Sequence, residues 1–241
     1  MKTIDNMKNI LLAVLLVPFL ALPGVAAANE SLHLEKAPVD VSDHASLQRG
    51  ARTFVNYCLN CHGANYMRYN RLLEIGLTEK QIKDNLLLAG EKVGDTMKVA
   101  MNKGDAKKWL GVAPPDLSVE VRARGADWVY AYLRGFYRDE TRPTGWNNTM
   151  FDKVGMPHVL YELQGEQVLD HETHELKLVK PGRLSVEEYD AFAGDLTNFM
   201  AYIAEPAKQQ RNHLGWFVLL FLSVLLVLTY KLKKAYWKDI H

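Results

Sequence analysis

The chain has 241 residues, 48% of them hydrophobic, with 29 basic against 28 acidic side chains and a formal net charge of +1. So even a balance carries no nucleic-acid footprint, and the apolar content is sufficient for one substantial core. Cys58 and Cys61 are the only cysteines, which leaves no material for a disulfide framework.

Lys2 and Lys8 flank a short polar start, Ile10 to Leu22 is almost wholly apolar, and Ala26-Ala27-Ala28 offers a small-residue cleavage site. This is the form of a secretory signal peptide over residues 1–28. The apolar run is shorter than the roughly 20 residues of a membrane span and Pro18 interrupts it. The exported segment then runs from about Asn29 to Asn212.

Residues from about Asp43 to Cys58 suit a helix with Leu47, Ala51, Phe54 and Val55 on one stripe. It ends in Cys58-Leu59-Asn60-Cys61-His62. Two thiols at this spacing, followed at once by histidine, match covalent c-type haem attachment: each thiol adds to a vinyl group, and the imidazole lies under the iron as an axial ligand. A zinc site needs two further ligands at matching spacing, and a redox dithiol has no use for the adjacent histidine.

Thr78-Glu79-Lys80-Gln81 reads as a capping box opening a helix with Ile82 and Leu86, stopped by Gly90. Gly125 to Tyr137 reads as an amphipathic helix with Trp128, Val129, Tyr132, Leu133 and Phe136 on one face. Arg138 to Pro157, rich in proline, glycine and asparagine, reads as a long loop, and long loops in compact domains are often functional. His158–Leu163 and Leu176–Val179 read as short strands around a polar connection. The acidic run Glu162, Glu166, Asp170, Glu172 and Glu175 suits a solvated hairpin better than a docking patch, and His171 and His174 sit in the same polar stretch. Ser185-Val186-Glu187-Glu188 is a second capping box, opening a helix through Ile203 that ends before Pro206.

Leu214 to Tyr230 is uncharged and covers roughly 25 Å as a helix, near the lower limit of a span. Trp216, Tyr230, Tyr236 and Trp237 bracket it, and Lys231, Lys233, Lys234 and Lys238 follow. The basic tail, residues 231–241, is expected on the cytoplasmic side of a transmembrane helix over 213–230.

A histidine-ligated electron-transfer haem needs a second axial ligand, usually methionine. Met156, in Val154-Gly155-Met156-Pro157, is the leading local candidate; Met150 and His158 stay open on residues alone.

Several motifs converge on one family. They are Cys58-x-x-Cys61-His62, Tyr66-x-x-Tyr69, Ala113-Pro114-Pro115-Asp116-Leu117-Ser118 with Val121-Arg122-Ala123-Arg124, Gly155-Met156-Pro157, and the C-terminal span with its basic tail. Together they resemble the cytochrome c1 family, the haem subunits of ubiquinol–cytochrome c oxidoreductase, in its proteobacterial form. The resemblance implies one covalent haem c, Met156 as the sixth ligand, Arg124 near a propionate and Trp128 at the haem border. The family often has tyrosine at this last position. The Pro114-Pro115 stretch is expected to offer a carbonyl to the free nitrogen of His62, and Tyr66 and Tyr69 either pack on the porphyrin or belong to the core. The implied fold is mainly α, a class I cytochrome c-like domain with insertions over 29–212 plus one C-terminal transmembrane helix. The implied function is one-electron transfer from a Rieske iron–sulfur subunit to a cytochrome c, beside a cytochrome b subunit in the membrane lipid. Such a chain is not an enzyme on its own. The alternatives are a membrane-anchored monohaem cytochrome feeding a terminal oxidase, and a haem sensor or peroxidase.

Overall fold

The computed structural model describes residues 34–99, 101–170 and 172–238. The signal-like segment and the tail from Asp239 onward lie outside them, as does His171. Among the described residues the chain is mainly α, with three small two-stranded antiparallel sheets.

Helix α1 (His44–Thr53) is capped by Asp43, whose carboxylate accepts from the Ser46 N–H. Its Leu47 and Ala51 are fully buried, and so are Phe54 and Val55 one turn on, as the apolar stripe predicts. The helix then widens into a π turn over Phe54–Cys58, closed by the Leu59 N–H on the Phe54 carbonyl at 3.0 Å. Single π turns inside helices recur at functional sites, and this one leads directly into the cysteine–histidine motif.

Strand β1 (Ala64–Arg68) follows, then a 3₁₀ stretch over Tyr69–Ile75. Helix α2 (Glu79–Asn85) opens on the expected Thr78–Gln81 capping box. It ends at Asn85 rather than at Gly90: Leu86 leaves the helical region with φ −125° and turns its N–H back to Ile82. Strand β2 (Thr96–Met97) pairs with β1. Helix α3 (Lys103–Leu110) is capped by Asn102, and the short α4 (Glu120–Arg124) precedes α5.

Helix α5 (Ala126–Arg134) is shorter than the 125–137 periodicity suggests. Gly135 ends it. A Cβ there would stand 2.5 Å from Thr149 Oγ1, and the Gly135 carbonyl accepts the Thr149 N–H at 3.0 Å. The chain turns so that Phe136 enters strand β3 (Phe136–Arg138), paired with β4 (Trp146–Asn148). The expected long loop therefore contains a hairpin strand.

His158–Leu163 is not a strand. Its end belongs to the one-turn helix α6 (Tyr161–Gln164), with Leu160 and Leu163 buried three residues apart, a helical spacing. The strand lies later, β5 (Gly165–Leu169), against β6 (Leu176–Pro181). Two members of the acidic run are answered locally: Glu166 pairs with Arg138 at 2.8 Å and Lys180 at 2.9 Å, and Asp170 pairs with Lys177.

Helix α7 (Val186–Ala204) opens on the Ser185–Glu188 capping box and crosses α1. At the crossing Gly50 faces α7 so closely that a Cβ would stand 2.2 Å from the Asp195 carbonyl oxygen. Phe54 and Phe199 meet at 5.6 Å between centroids, and Arg49 clasps Asp195 through two hydrogen bonds of 2.5 and 2.8 Å. Tyr189 ties α7 to α5, donating to the Leu133 carbonyl at 2.9 Å.

Helix α8 (Lys208–Tyr236) begins six residues before the apolar run and continues into the lysines beyond it. Its 29 residues cover about 44 Å, enough for a bilayer core and part of both interfaces. None of its residues is buried within the chain, as fits a helix whose surroundings are lipid or other subunits.

Candidate functional site

After the π turn, the N–H groups of Cys61 and His62 both converge on the Cys58 carbonyl, at 3.1 and 2.8 Å. The motif is thus wound into one tight turn. Both thiols are free. Burial pushes Cys58 up to about 12, with Cys61 adding to the shift, and burial also raises Cys61. A thioether carries no charge to bury, so these surroundings are compatible with haem-linked sulfur.

His62 Nδ1 lies 2.8 Å from the Pro115 carbonyl oxygen. A carbonyl only accepts, so Nδ1 carries the proton and Nε2 keeps its lone pair. Burial lowers the His62 pKa against the opposing pull of this carbonyl, so the ring is held neutral and oriented, which is the state a metal-ligating imidazole requires.

The proline-rich segment is fastened to the motif by several hydrogen bonds. Leu117 N–H donates to the Gly63 carbonyl at 2.8 Å. Asp116 Oδ2 accepts from the Asn65 backbone at 2.9 Å and from its side chain at 2.7 Å, while Oδ1 accepts the Ser118 N–H at 2.9 Å. Ser118 Oγ accepts the Tyr66 N–H at 3.1 Å. Burial raises the Asp116 pKa, but the bonds from Ser118 and Asn65 outweigh it and the carboxyl is held below the usual range. Asp116 and Ser118 stand in the motif quoted from the sequence, but the sequence reading gave them no role of their own. The turn-forming Asp-x-Ser after two prolines was the available signal.

The other half of the site is built on α5. Trp128 and Tyr132, one turn apart, stack at 5.1 Å and 17°. The Arg124 guanidinium lies 4.4 Å over the Trp128 ring, with its Nε on Glu120 at 2.5 Å. The Tyr132 hydroxyl donates to Met156 Sδ at 3.4 Å. Met156 rests on a second small core of Phe136, Trp146 and Val154, separate from the main one. The Glu120 carboxylate acts through space on both His62 and Tyr132, which puts the two halves in one electrostatic neighbourhood.

The remaining candidates fall on either side of this geometry. Met67, Met97 and Met200 are buried in the main core. His158 is 3% exposed, stacked flat on Phe136 at 4.7 Å and edge-on to Trp146, and burial pushes it down to about 4. Met150 is half-buried, its N–H held by Asn148 Oδ1 at 2.8 Å. Tyr69 is fully buried among core residues, whereas Tyr66 is 82% exposed. Pro114 borders a small cleft shared with Cys61, Gly63, Asn65 and Asp116. The donor set fits a covalently held haem: two neutral thiols, one oriented neutral imidazole, and a thioether fixed by its own core.

A profile of the Cytochrome C1 family matches residues 34–240. The chain is 48% identical to a protein named Cytochrome c1 from Allochromatium vinosum, over 98% of this chain and 100% of the relative. It is 55% identical to a protein named Ammonia monooxygenase gamma subunit from Nitrosomonas europaea, over 97% and 98%. A chain of a solved structure titled Hyperthermophilic respiratory Complex III aligns at TM-score 0.43 and 17% identity, over 98% of this chain and 99% of that one.

Proposed function

The chain belongs to the cytochrome c1 family, and from that membership we propose how its residues hold the haem and where its electron comes from and goes. The chain is a haem-bearing electron-transfer subunit of a bc1-type respiratory complex, carries one covalent haem c, and is not an enzyme on its own. The haem supplies the one-electron Fe(III)/Fe(II) couple. In our reading Cys58 and Cys61 would form the two thioethers, and His62 Nε2 and Met156 Sδ would hold the iron. Arg124 meets a propionate, and Trp128 borders the ring. Pro114 and Pro115 hold the imidazole in place, and Tyr69 packs behind the motif.

The observation that carries this reading is the 2.8 Å bond from His62 to the Pro115 carbonyl. It leaves one nitrogen directed by a fixed ring, in the turn that holds both free thiols. The chain's work is to bury the cofactor, hold its two ligands and keep one edge open to partners.

We further infer that the chain takes its electron from a Rieske-type iron–sulfur subunit beside a cytochrome b and passes it to a cytochrome c. In this arrangement α8 crosses the bacterial inner membrane once, with the haem domain in the periplasm and the lysine-rich end in the cytoplasm. The lysines at 231, 233, 234 and 238 support that orientation. The name of the Nitrosomonas relative attaches that protein to a different assembly. Purification of this chain in mild detergent decides its own: cytochrome b and an iron–sulfur subunit should co-purify, and a stable complex without them overturns the partner assignment.

The ligand assignment is tested by Met156→Leu. Haem stays covalently attached, the potential drops sharply and carbon monoxide now binds. An unchanged spectrum and potential would place another residue on the iron.

A further inference from the structure

We propose that Tyr132 is a positioning residue for the Met156 thioether, its phenol O–H fixing the sulfur and drawing electron density from it so as to favour the reduced iron. The inference rests on Met156 as the sixth ligand and concerns what else that sulfur touches.

The contact is a hydroxyl 3.4 Å from Sδ, within the reach of an O–H···S bond. A thioether sulfur has two lone pairs and accepts hydrogen bonds weakly. Ligation uses one pair and the phenol takes the other, so both interactions can be made at once, and the direction of the O–H fixes which pair remains for the metal.

The donor is held rigidly. Tyr132 sits on α5, its ring stacked on Trp128 at 5.1 Å and edge-on to Phe136 at 5.2 Å. Its own carbonyl accepts from Asn148 Nδ2 at 2.8 Å. Asn148 is 2% exposed, and its Oδ1 takes the Met150 N–H at 2.8 Å. One tyrosine is therefore tied to the methionine segment twice, by hydroxyl to Met156 and by carbonyl through Asn148. The helix sets where the sulfur stands, and the loop does not have to.

The electronic consequence has a definite sign. A hydrogen bond to sulfur lowers its electron donation. Fe(III), the electron-poorer state, loses more by this than Fe(II), so the bond raises the reduction potential. Since a neutral hydrogen bond shifts an equilibrium by roughly two- to tenfold, and sulfur is a weak acceptor, the lower half of that range is expected.

The test is Tyr132→Phe in the full, haem-loaded chain in detergent, because the ring and its packing are kept and only the donor is lost. Covalent haem should be retained. A redox titration should show the Fe(III)/Fe(II) ratio at fixed ambient potential raised about two- to fivefold, and the iron–sulfur charge-transfer band of the oxidised form should shift. A titration and band identical to wild type would reduce Tyr132 to a packing residue and overturn the proposal. Wild-type protein gives an independent reading whether or not the variant folds: the iron–sulfur stretch in resonance Raman should move on transfer to D₂O, and a mode insensitive to deuterium would equally overturn it. Failure of the ligand assignment is distinguishable, since Met156→Leu would then leave the spectrum untouched.

Discussion

Gly50→Ala measures how tightly the first and last helices of the domain are joined. On an exposed helix this change stabilises by about 1 kcal/mol, because alanine costs less backbone entropy. Here the new Cβ would stand 2.2 Å from the Asp195 carbonyl oxygen and 2.6 Å from Phe199 Cβ, whereas ordinary contact begins at 3.4 Å. The shortfall to the oxygen is 3.4 − 2.2 = 1.2 Å, and a helix carbonyl cannot rotate out of the way. Overpacking costs typically 1–3 kcal/mol, and a backbone obstacle puts this case near about 3. Subtracting the helix-propensity gain leaves about 2 kcal/mol of net destabilisation, or a Tm lowered by roughly 4–8 °C in a domain of this size. Thermal unfolding of the haem-loaded protein, followed by circular dichroism and visible absorption together, reads it. Gly94→Ala is the control, since nothing lies within 4 Å of its Cβ position. A Gly50→Ala protein that melts with or above wild type would mean that α1 and α7 are not in the contact described.

Cys58→Ala with Cys61→Ala should leave no haem resistant to acid–acetone extraction and little accumulated protein; normal accumulation with resistant haem would remove the attachment assignment. Hydrogen bonds from Arg138 and Lys180 hold Glu166 at about 2, below its ordinary 4.5, so its contribution is present above the ordinary value and lost as the pH falls toward 2. The Tm difference between wild type and Glu166→Gln should accordingly be constant from pH 7 to 5 and vanish on further acidification; a difference that grows with acid would reverse the sign of the argument. A chain ending at Ala207, signal segment retained, should be released as soluble, haem-loaded protein with a near-native spectrum, since α8 buries none of its residues in the domain; a haem-free or aggregated product would show that the helix supports the fold.

Where sequence reading succeeded, a local cause was sufficient. Both capping boxes form as written, and the Leu47–Ala51–Phe54–Val55 stripe is buried, because spacing and side-chain chemistry determine these within one or two turns. The His62 to Pro115 bond was legible because a ligating imidazole needs an acceptor and the rigid proline pair offered one. Misreadings came where a distant partner decided. Periodicity carries α5 on to Tyr137, but Thr149, fourteen residues beyond Gly135, turns the chain into β3. His158–Leu163 has strand-like composition, yet Leu160 and Leu163 go to the core at helical spacing and the strand starts at Gly165. Tyr132 was legible as a face residue of an amphipathic helix. Its role was not, because its hydroxyl meets a sulfur 24 positions away.

The two residues assigned to the iron stand on different supports, and this gives α5 its importance. His62 follows the π turn of α1, whose Phe54 and Val55 lie in the main core. Met156 rests on the separate cluster of Phe136, Trp146 and Val154. Helix α5 belongs to both, sending Val129, Tyr130 and Leu133 into the first and Tyr132 toward the second. Were the helix to continue through Gly135, Phe136 could not pair in β3 as it does, and the methionine's core would lose its largest fully buried ring. A haem held by both His62 and Met156 would add a further link between these neighbourhoods, beside α5 and the 158–163 segment, whose Tyr161 meets Trp146 and whose Leu163 lies in the main core. Binding that requires both arrangements at once stabilises each of them. Any change that loosens the α5–Asn148 brace should therefore appear first as a weakened methionine bond, with the cysteine–histidine side still intact.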